Sequence, residues 1–173
     1  MSKLVKQDTS FKTNCGRFNY RVAAVILREG KILLLTEPRF DFWYLPGGRA
    51  HMFESSEEAL RREIEEELGE APKIERLLWI VENMYHFEYT DTNYHEMAFY
   101  YLIHFKPDAL IYQEEKGVGT EEFSNEETIL YYQWFPLDQL EYINLVPSFM
   151  KEALKEIPSQ TKHIIMNELV KNK

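Results

Sequence analysis

The stretch Gly47–Glu70, GGRAHMFESSEEALRREIEEELGE, decides how this chain folds. It follows FWYL at Phe42–Leu45, and Pro46-Gly47-Gly48 is a turn signal that ends that apolar piece. Ser55 with Glu58 three residues on makes an S-x-x-E capping box, and Gly69 is a helix stop, so the spacing predicts a helix over Glu57–Leu68. At about 100° per residue, Leu60, Ile64 and Leu68 form one apolar stripe that faces a core. Five glutamates, Glu63, Glu65, Glu66, Glu67 and Glu70, crowd the last eight positions without a lysine or arginine. They gather where the helix macrodipole is already negative, so something outside the helix is expected to neutralise them.

The helical wheel sorts these charges. Glu57 with Arg61, and Glu58 with Arg62, are ordinary i,i+4 pairs worth about 0.3–0.5 kcal/mol each. Both arginines lie N-terminal to the acidic cluster. Glu65 and Glu70 fall on the solvated face, whereas Glu63 and Glu66 share a face with small Ala59, and Glu67 lies between that face and the apolar stripe. Carboxylates at i, i+3 and i+4 reach a common point, where a hard divalent cation turns mutual repulsion into ligation. The alternative is a charged face laced with ion pairs, acting as plain surface or as a protein contact.

Counted from Gly48, five residues lead to Glu54, seven more to Arg62, and then Arg62-Glu63-Ile64-Glu65-Glu66-Glu67-Leu68-Gly69 follows without a break. This pattern resembles the Nudix box, G-x5-E-x7-R-E-U-x-E-E-x-G-U with U aliphatic, over residues 48–70; only Glu70 departs from it. The upstream hairpin, WYLPGG and WFPLDQL near Trp134 extend the likeness over most of Arg21–Ile157. The resemblance implies an α/β/α sandwich in which a mixed sheet lies between helices. It also implies Mg²⁺-dependent hydrolysis, with Mn²⁺ able to substitute, of a nucleoside diphosphate linked to another moiety. The candidate substrates are a nucleoside triphosphate, ADP-ribose or another nucleotide sugar, and a dinucleoside polyphosphate. By position, Glu63, Glu66, Glu67 and the Gly47 carbonyl would hold metal, Arg62 would orient the carboxylates, and Glu54 would brace the loop–helix junction. The general base is either Glu63 or a carboxylate outside the box, for which Glu96, Glu121, Glu122, Glu126 and Glu127 are candidates. A non-catalytic nucleotide sensor on the same fold is the competing function.

Two departures concern the box loop. Phe53 stands where glycine is usual before the first box glutamate, and His51 where an acidic residue is frequent. The loop is bulkier than its relatives, which bears on substrate access. Arg49, directly after the glycines, is placed to grip a phosphate oxygen, and Arg39 is a weaker version of the same idea. Phe40, Phe42, Trp43, Tyr44 and Tyr85 include possible stacking partners for a base, but strand aromatics usually pack a core. Glu96 lies within a strand and reads either as a further ligand or base, or as a satisfied structural carboxylate.

Outward from the box, VAAVIL at Val22–Leu27 and KILLLT at Lys31–Thr36 form a hairpin around Arg28-Glu29-Gly30. Lys73–Met84, Tyr94–Phe105 and Ile129–Phe135 read as further strands, and polar, glycine-containing Glu114–Thr128 as a mobile loop. Leu137–Leu140 forms a helical turn, Val146–Ile157 a helix, and Ser159 caps a last helix whose stripe includes Ile164, Ile165, Leu169 and Val170. The whole is an α/β chain with a mixed α+β sheet. At 173 residues it fits one domain spanning 1–173, with a flexible segment over 1–17.

Hydrophobic residues make up 45% and aromatics 14%, too much core-forming material for a disordered chain. A net charge of -9 argues against a broad nucleic-acid surface, which needs clustered lysine and arginine. Cys15 is the only cysteine, so no intrachain disulfide or cysteine zinc cage forms. The five histidines show no zinc spacing. No run approaches the roughly 20 apolar residues of a membrane helix, and the N-terminus lacks a signal-peptide core. The expectation is a cytoplasmic monomer or homodimer that meets a small nucleotide and no membrane.

Overall fold

A computed structural model describes residues 6–123 and 126–169, with the side chains of 120–127 excepted. The long strands are β1 (Ser10–Thr13), β2 (Gly16–Arg28), β3 (Lys31–Thr36), β5 (Lys73–Phe87), β6 (Thr92–His104), β7 (Lys116–Phe123), β8 (Glu126–Pro136) and β10 (Lys162–Asn167). Two short ones, β4 (Trp43–Tyr44) and β9 (Leu145–Val146), and two α-helices, α1 (Ser56–Leu68) and α2 (Met150–Ala153), complete the elements with three 3-10 turns. The sheet is mixed: β10-β5-β6-β2-β3-β4-β9 in sequence of pairing, with β1 on β2, β8 on β3 and β7 on β8. β2 with β6 and β10 with β5 are parallel, and β5–β6 and β7–β8 antiparallel.

The expected hairpin forms around Glu29 (φ 48°) and Gly30 (φ 75°), a left-handed pair suited to a tight turn. Its ladder is short. Only Leu27↔Ile32 and Arg28↔Lys31 pair before the strands diverge, β2 following β6 and β3 following β8. The edge that β2 gives up is taken first by β1 and then by the box loop. Val22 N–H donates to the Gly48 carbonyl (2.9 Å), Ala24 N–H to the Pro46 carbonyl (2.8 Å), and Ala50 N–H to the Tyr20 carbonyl (3.1 Å). This divergence positions the site, because it seats Pro46–Ala50 as an extra partner along β2.

Side-chain alternation divides the core. Val22, Ala24, Ile26, Leu33 and Leu35 face α1 through Ala59, Leu60 and Ile64. Ala23, Val25, Ile32 and Leu34 face the other way, onto Leu140, Met150 and Leu154. The central layer thus has helical cover on both sides, thick over α1 and thin opposite.

Three expectations of secondary structure are corrected. Glu114–Thr128 is no loop: β7 pairs with β8 from Lys116↔Gln133 to Phe123↔Glu126. The helix expected over Val146–Ile157 shrinks to Met150–Ala153, since Leu145–Val146 is drawn into pairing with β4 and Phe149 gives α2 no side-chain cap. In place of the last helix, Lys162–Asn167 adds a parallel strand to the open edge of β5, turning Ile164 and Met166 onto the core and leaving Ile165 outside; Val170 lies outside the described residues.

Candidate metal and catalytic site

Helix α1 begins and ends as its residues dictate. Ser55 Oγ accepts from Glu58 N–H (3.3 Å) while Glu58 accepts from Ser55 N–H (2.9 Å), and Gly69 (φ 70°) closes the helix in the left-handed region. The cap takes Glu58 away from Arg62. Glu57 still pairs loosely with Arg61, at 3.9 Å.

Arg62 instead knits the box together. Its Nε and Nη2 donate to the two oxygens of Glu54 (2.9 and 3.0 Å), a forked, charge-assisted pair, and Nη2 also reaches the Arg49 carbonyl (2.9 Å). Nη1 donates to both Glu63 (2.7 Å) and Glu66 (3.1 Å). Burial disfavours the carboxylate of Glu54, but hydrogen bonds from Arg62 and His51 N–H outweigh it and hold its pKa below the usual range. For Glu63, only 6% exposed, burial wins over the attraction of Arg62 and the pKa is raised.

Glu67, at 1% exposure, accepts from Gly47 N–H (2.8 Å). At Gly48 a methyl group would meet the end of the Glu63 side chain and displace its carboxylate; at Gly47 (φ 133°) it would collide with the backbone of β2. Gly119 of β7 likewise lets that strand run against the Glu67 carbonyl, so the segment expected as a loop underpins the end of the site helix.

Among the described residues, no group of three His, Cys, Asp or Glu side chains is gathered closely enough to cage an ion. The chemistry of the donors nevertheless fits a hard divalent cation. All are oxygens, Glu63 is buried against its charge, and Glu63 and Glu66 already converge on one cationic nitrogen of Arg62. A groove of about 570 Å³ opens along β3, β4, β7 and β8, and no box carboxylate lines it.

Other expected residues divide. Arg49 donates to Asp8 (3.2 Å), while its carbonyl supports Arg62. Arg39 pairs with buried Glu37 (2.6 Å) and covers the Phe40 ring. Glu70 accepts from Leu110 N–H (3.0 Å) and so stitches the helix end to a 3-10 turn, where a solvated side chain was expected. Phe40 and Phe42 stack (4.6 Å) and gather with Phe87 and Tyr89, Tyr85 stacks on Tyr94 (5.3 Å), and Trp43 packs against Phe135. The side chains of Glu121, Glu122, Glu126 and Glu127 lie outside the described residues.

Glu96 is buried (6% exposed) and accepts from Asn19 Nδ2 (3.5 Å); burial raises its pKa against the nearby Arg21. Arg21 was missed by sequence reasoning. Its Nη2 donates to the Gly47 carbonyl (3.0 Å). The signal was a charged residue just ahead of VAAVIL, on a strand bound to be buried.

The NUDIX domain family model matches residues 17–157. The CTP pyrophosphohydrolase of Escherichia coli K12 is 46% identical over 52 residues, covering 28% of this chain and 38% of that protein. A solved UDP-X diphosphatase is 26% identical with a TM-score of 0.58, covering 84% of this chain and 66% of that one. The match therefore spans less than two thirds of either relative. An ADP-ribose pyrophosphatase from Streptococcus suis 89-1591 shares the fold at 21% identity and a TM-score of 0.54, over 85% of this chain and 98% of that one.

Proposed function

Because this chain belongs to the NUDIX family, we propose that it is a hydrolase that cleaves the diphosphate linkage of a nucleoside diphosphate joined to another group. The observation that carries the proposal is the Arg62 knot. One guanidinium holds Glu54, Glu63 and Glu66 together while Glu67 pins the glycine loop. A decorative acidic face would not bury Glu63 and Glu67 or seat a carboxylate against the Cα of a loop glycine.

In this reading Glu63, Glu66, Glu67 and the Gly47 carbonyl hold Mg²⁺, with Mn²⁺ as a substitute. Bound there, the ion would supply Lewis-acid polarisation of the diphosphate and a water of lowered pKa. Glu63 is the base of choice among the box residues, and Glu96, Glu121, Glu122, Glu126 and Glu127 are the alternatives outside it. Arg62 keeps the carboxylates in register, and Glu54 keeps Arg62 in place. A nucleoside triphosphate, ADP-ribose or another nucleotide sugar, and a dinucleoside polyphosphate are the substrate classes to try. Relatives named for CTP, UDP-X and ADP-ribose support that breadth.

The proposal takes residues 1–173 as one domain working in the cytoplasm as a monomer or homodimer. Exposed, unpaired Cys15 suits a reducing compartment, and among the described residues no helix is long and apolar enough to cross a membrane. The test is a hydrolysis panel over those substrate classes with Mg²⁺ or Mn²⁺, with Glu67→Gln as control. Turnover by the wild type that Glu67→Gln abolishes is expected. Binding without product from any member would favour the sensor instead.

A further inference from the structure

The Gly47 peptide is held from more sides than a loop needs. Its neighbours Pro46 and Gly48 point their carbonyls at β2, where Ala24 and Val22 N–H groups meet them (2.8 and 2.9 Å). Gly47 itself points the other way. Its N–H donates to Glu67 (2.8 Å) and its carbonyl accepts from Arg21 Nη2 (3.0 Å), which also reaches the Leu45 carbonyl (3.5 Å). No side chain fits at Gly47 because the backbone of β2 lies against it. The two peptide units that flank the Gly47 Cα are thus both clamped, one by a box carboxylate and the other by a guanidinium that the box pattern does not include.

Arg21 lies on the sheet face that carries a buried carboxylate. In the β2–β6 register Asn19 lies opposite Glu96 and Arg21 opposite Ala98, so Asn19, Arg21, Glu96 and Ala98 share one face of the sheet. Glu96 and Asn19 are both buried there, joined at 3.5 Å, and Asn19 Oδ1 is occupied by Ser10 Oγ (2.6 Å). Tyr85 adds a hydrogen bond to Glu96. Burial works against the charge of Arg21, but the carboxylates of Glu96 and Glu67 outweigh it and keep it cationic.

We propose that Arg21 is a positioning residue that aims the Gly47 carbonyl at the divalent ion, and that Glu96 serves by holding Arg21 in place. A carbonyl oxygen has two lone pairs, and Arg21 uses one while leaving the other for a metal. This inference rests on the proposed function, because it takes Gly47 as a ligand. It assigns to Glu96 a part other than ligand or base, and it extends the site onto β2, upstream of the box. Groups that orient a metal ligand typically change metal affinity 10–100-fold when removed. The sign is diagnostic. If Arg21 were only a nearby positive charge, its loss would strengthen cation binding by relieving repulsion; as an orienting group, its loss weakens binding.

The experiment is a Mn²⁺ titration of the intact chain followed by electron paramagnetic resonance of the free ion. Wild type, Arg21→Met, Arg21→Lys and Glu96→Gln are compared, with melting in EDTA as the check on folding. Arg21→Met should raise the Mn²⁺ dissociation constant about tenfold or more. Glu96→Gln should shift it in the same direction by less, and Arg21→Lys, which keeps the charge but is shorter and lacks the planar guanidinium that carries Nη2 to the Gly47 carbonyl, should fall between wild type and Arg21→Met. A folded Arg21→Met that binds Mn²⁺ as tightly as wild type, or more tightly, overturns the inference while leaving the proposed function standing. Should Arg21→Met fail to fold, unchanged affinity in Arg21→Lys overturns it equally. A wild type that binds no Mn²⁺ overturns both.

Discussion

Phe53→Gly and Phe53→Ala should differ in stability with a sign opposite to the usual one. Phe53 sits in the left-handed region (φ 69°) at the position just before Glu54, with its ring 82% exposed. An L-residue held there costs about 1–2 kcal/mol, and alanine carries the same Cβ and the same cost. The ring returns little. Roughly a fifth of the 1.5–3 kcal/mol for a fully buried large side chain amounts to about 0.5 kcal/mol, which both variants lose. Glycine removes the strain and adds back about 0.5–1 kcal/mol of unfolded-state entropy. Phe53→Gly should therefore be more stable than Phe53→Ala by about 0.5–1 kcal/mol, whereas at an ordinary helix or strand position glycine is worse than alanine by a similar amount. Urea denaturation at pH 7 with shared slopes measures the contrast directly. An alanine variant as stable as the glycine variant, or more so, would show that the loop carries no such strain and that Phe53 costs the fold nothing.

Gly48→Ala should leave the fold intact, because the group it meets is the end of a side chain, yet displace the Glu63 carboxylate; Mn²⁺ affinity should fall at least tenfold with little change in melting, and unaltered affinity would refute it. Glu54 contributes through a depressed pKa, so its stabilisation is complete above the unfolded value of about 4.3 and is lost as pH falls through the lower folded value. Urea midpoints of Glu54→Gln and wild type should converge as pH drops from 7 towards 3, and curves that stay parallel would sink the assignment. Added Mg²⁺ at 100 times its dissociation constant should stabilise the fold by about 2.7 kcal/mol, and EDTA should reverse it; a melting temperature indifferent to Mg²⁺ would favour the plain acidic face.

The helix of the box was legible because everything that makes it is local. Ser55, Glu58 and Gly69 form caps within one helix length, and the 3.6-residue period of Leu60 and Ile64 survives in the core. The β7–β8 hairpin was not, although its glycines carried the information. Gly117 and Gly119 look like loop residues in isolation. In the structure they are strand positions, kept bare because the Tyr132 hydroxyl and the Glu67 carbonyl come too close for a side chain. A glycine that marks close approach and one that marks a turn are identical in sequence. Only the partner distinguishes them, and here the partner is 15 and 52 residues away respectively.

The same limit applies to the site. Helical spacing brought out Glu63, Glu66 and Glu67, because a helix converts spacing into direction, and the resemblance to the Nudix box added Glu54 and Arg62. What holds the loop opposite them is brought in by the sheet, through contacts such as Arg21 to Gly47 and Arg49 to Asp8, which no periodicity links. Arg21 could have been suspected on energetic grounds. A charged residue inside a strand whose next five positions are buried needs acceptors within reach. The acceptors it finds are the carbonyls of Leu45 and Gly47, at the PGG turn, left over because β2 and β3 part after two pairs and the loop must satisfy the vacated edge. The exposed edge that the divergence of the hairpin creates is therefore the physical reason the glycine loop lies where Glu63 and Glu67 can meet it.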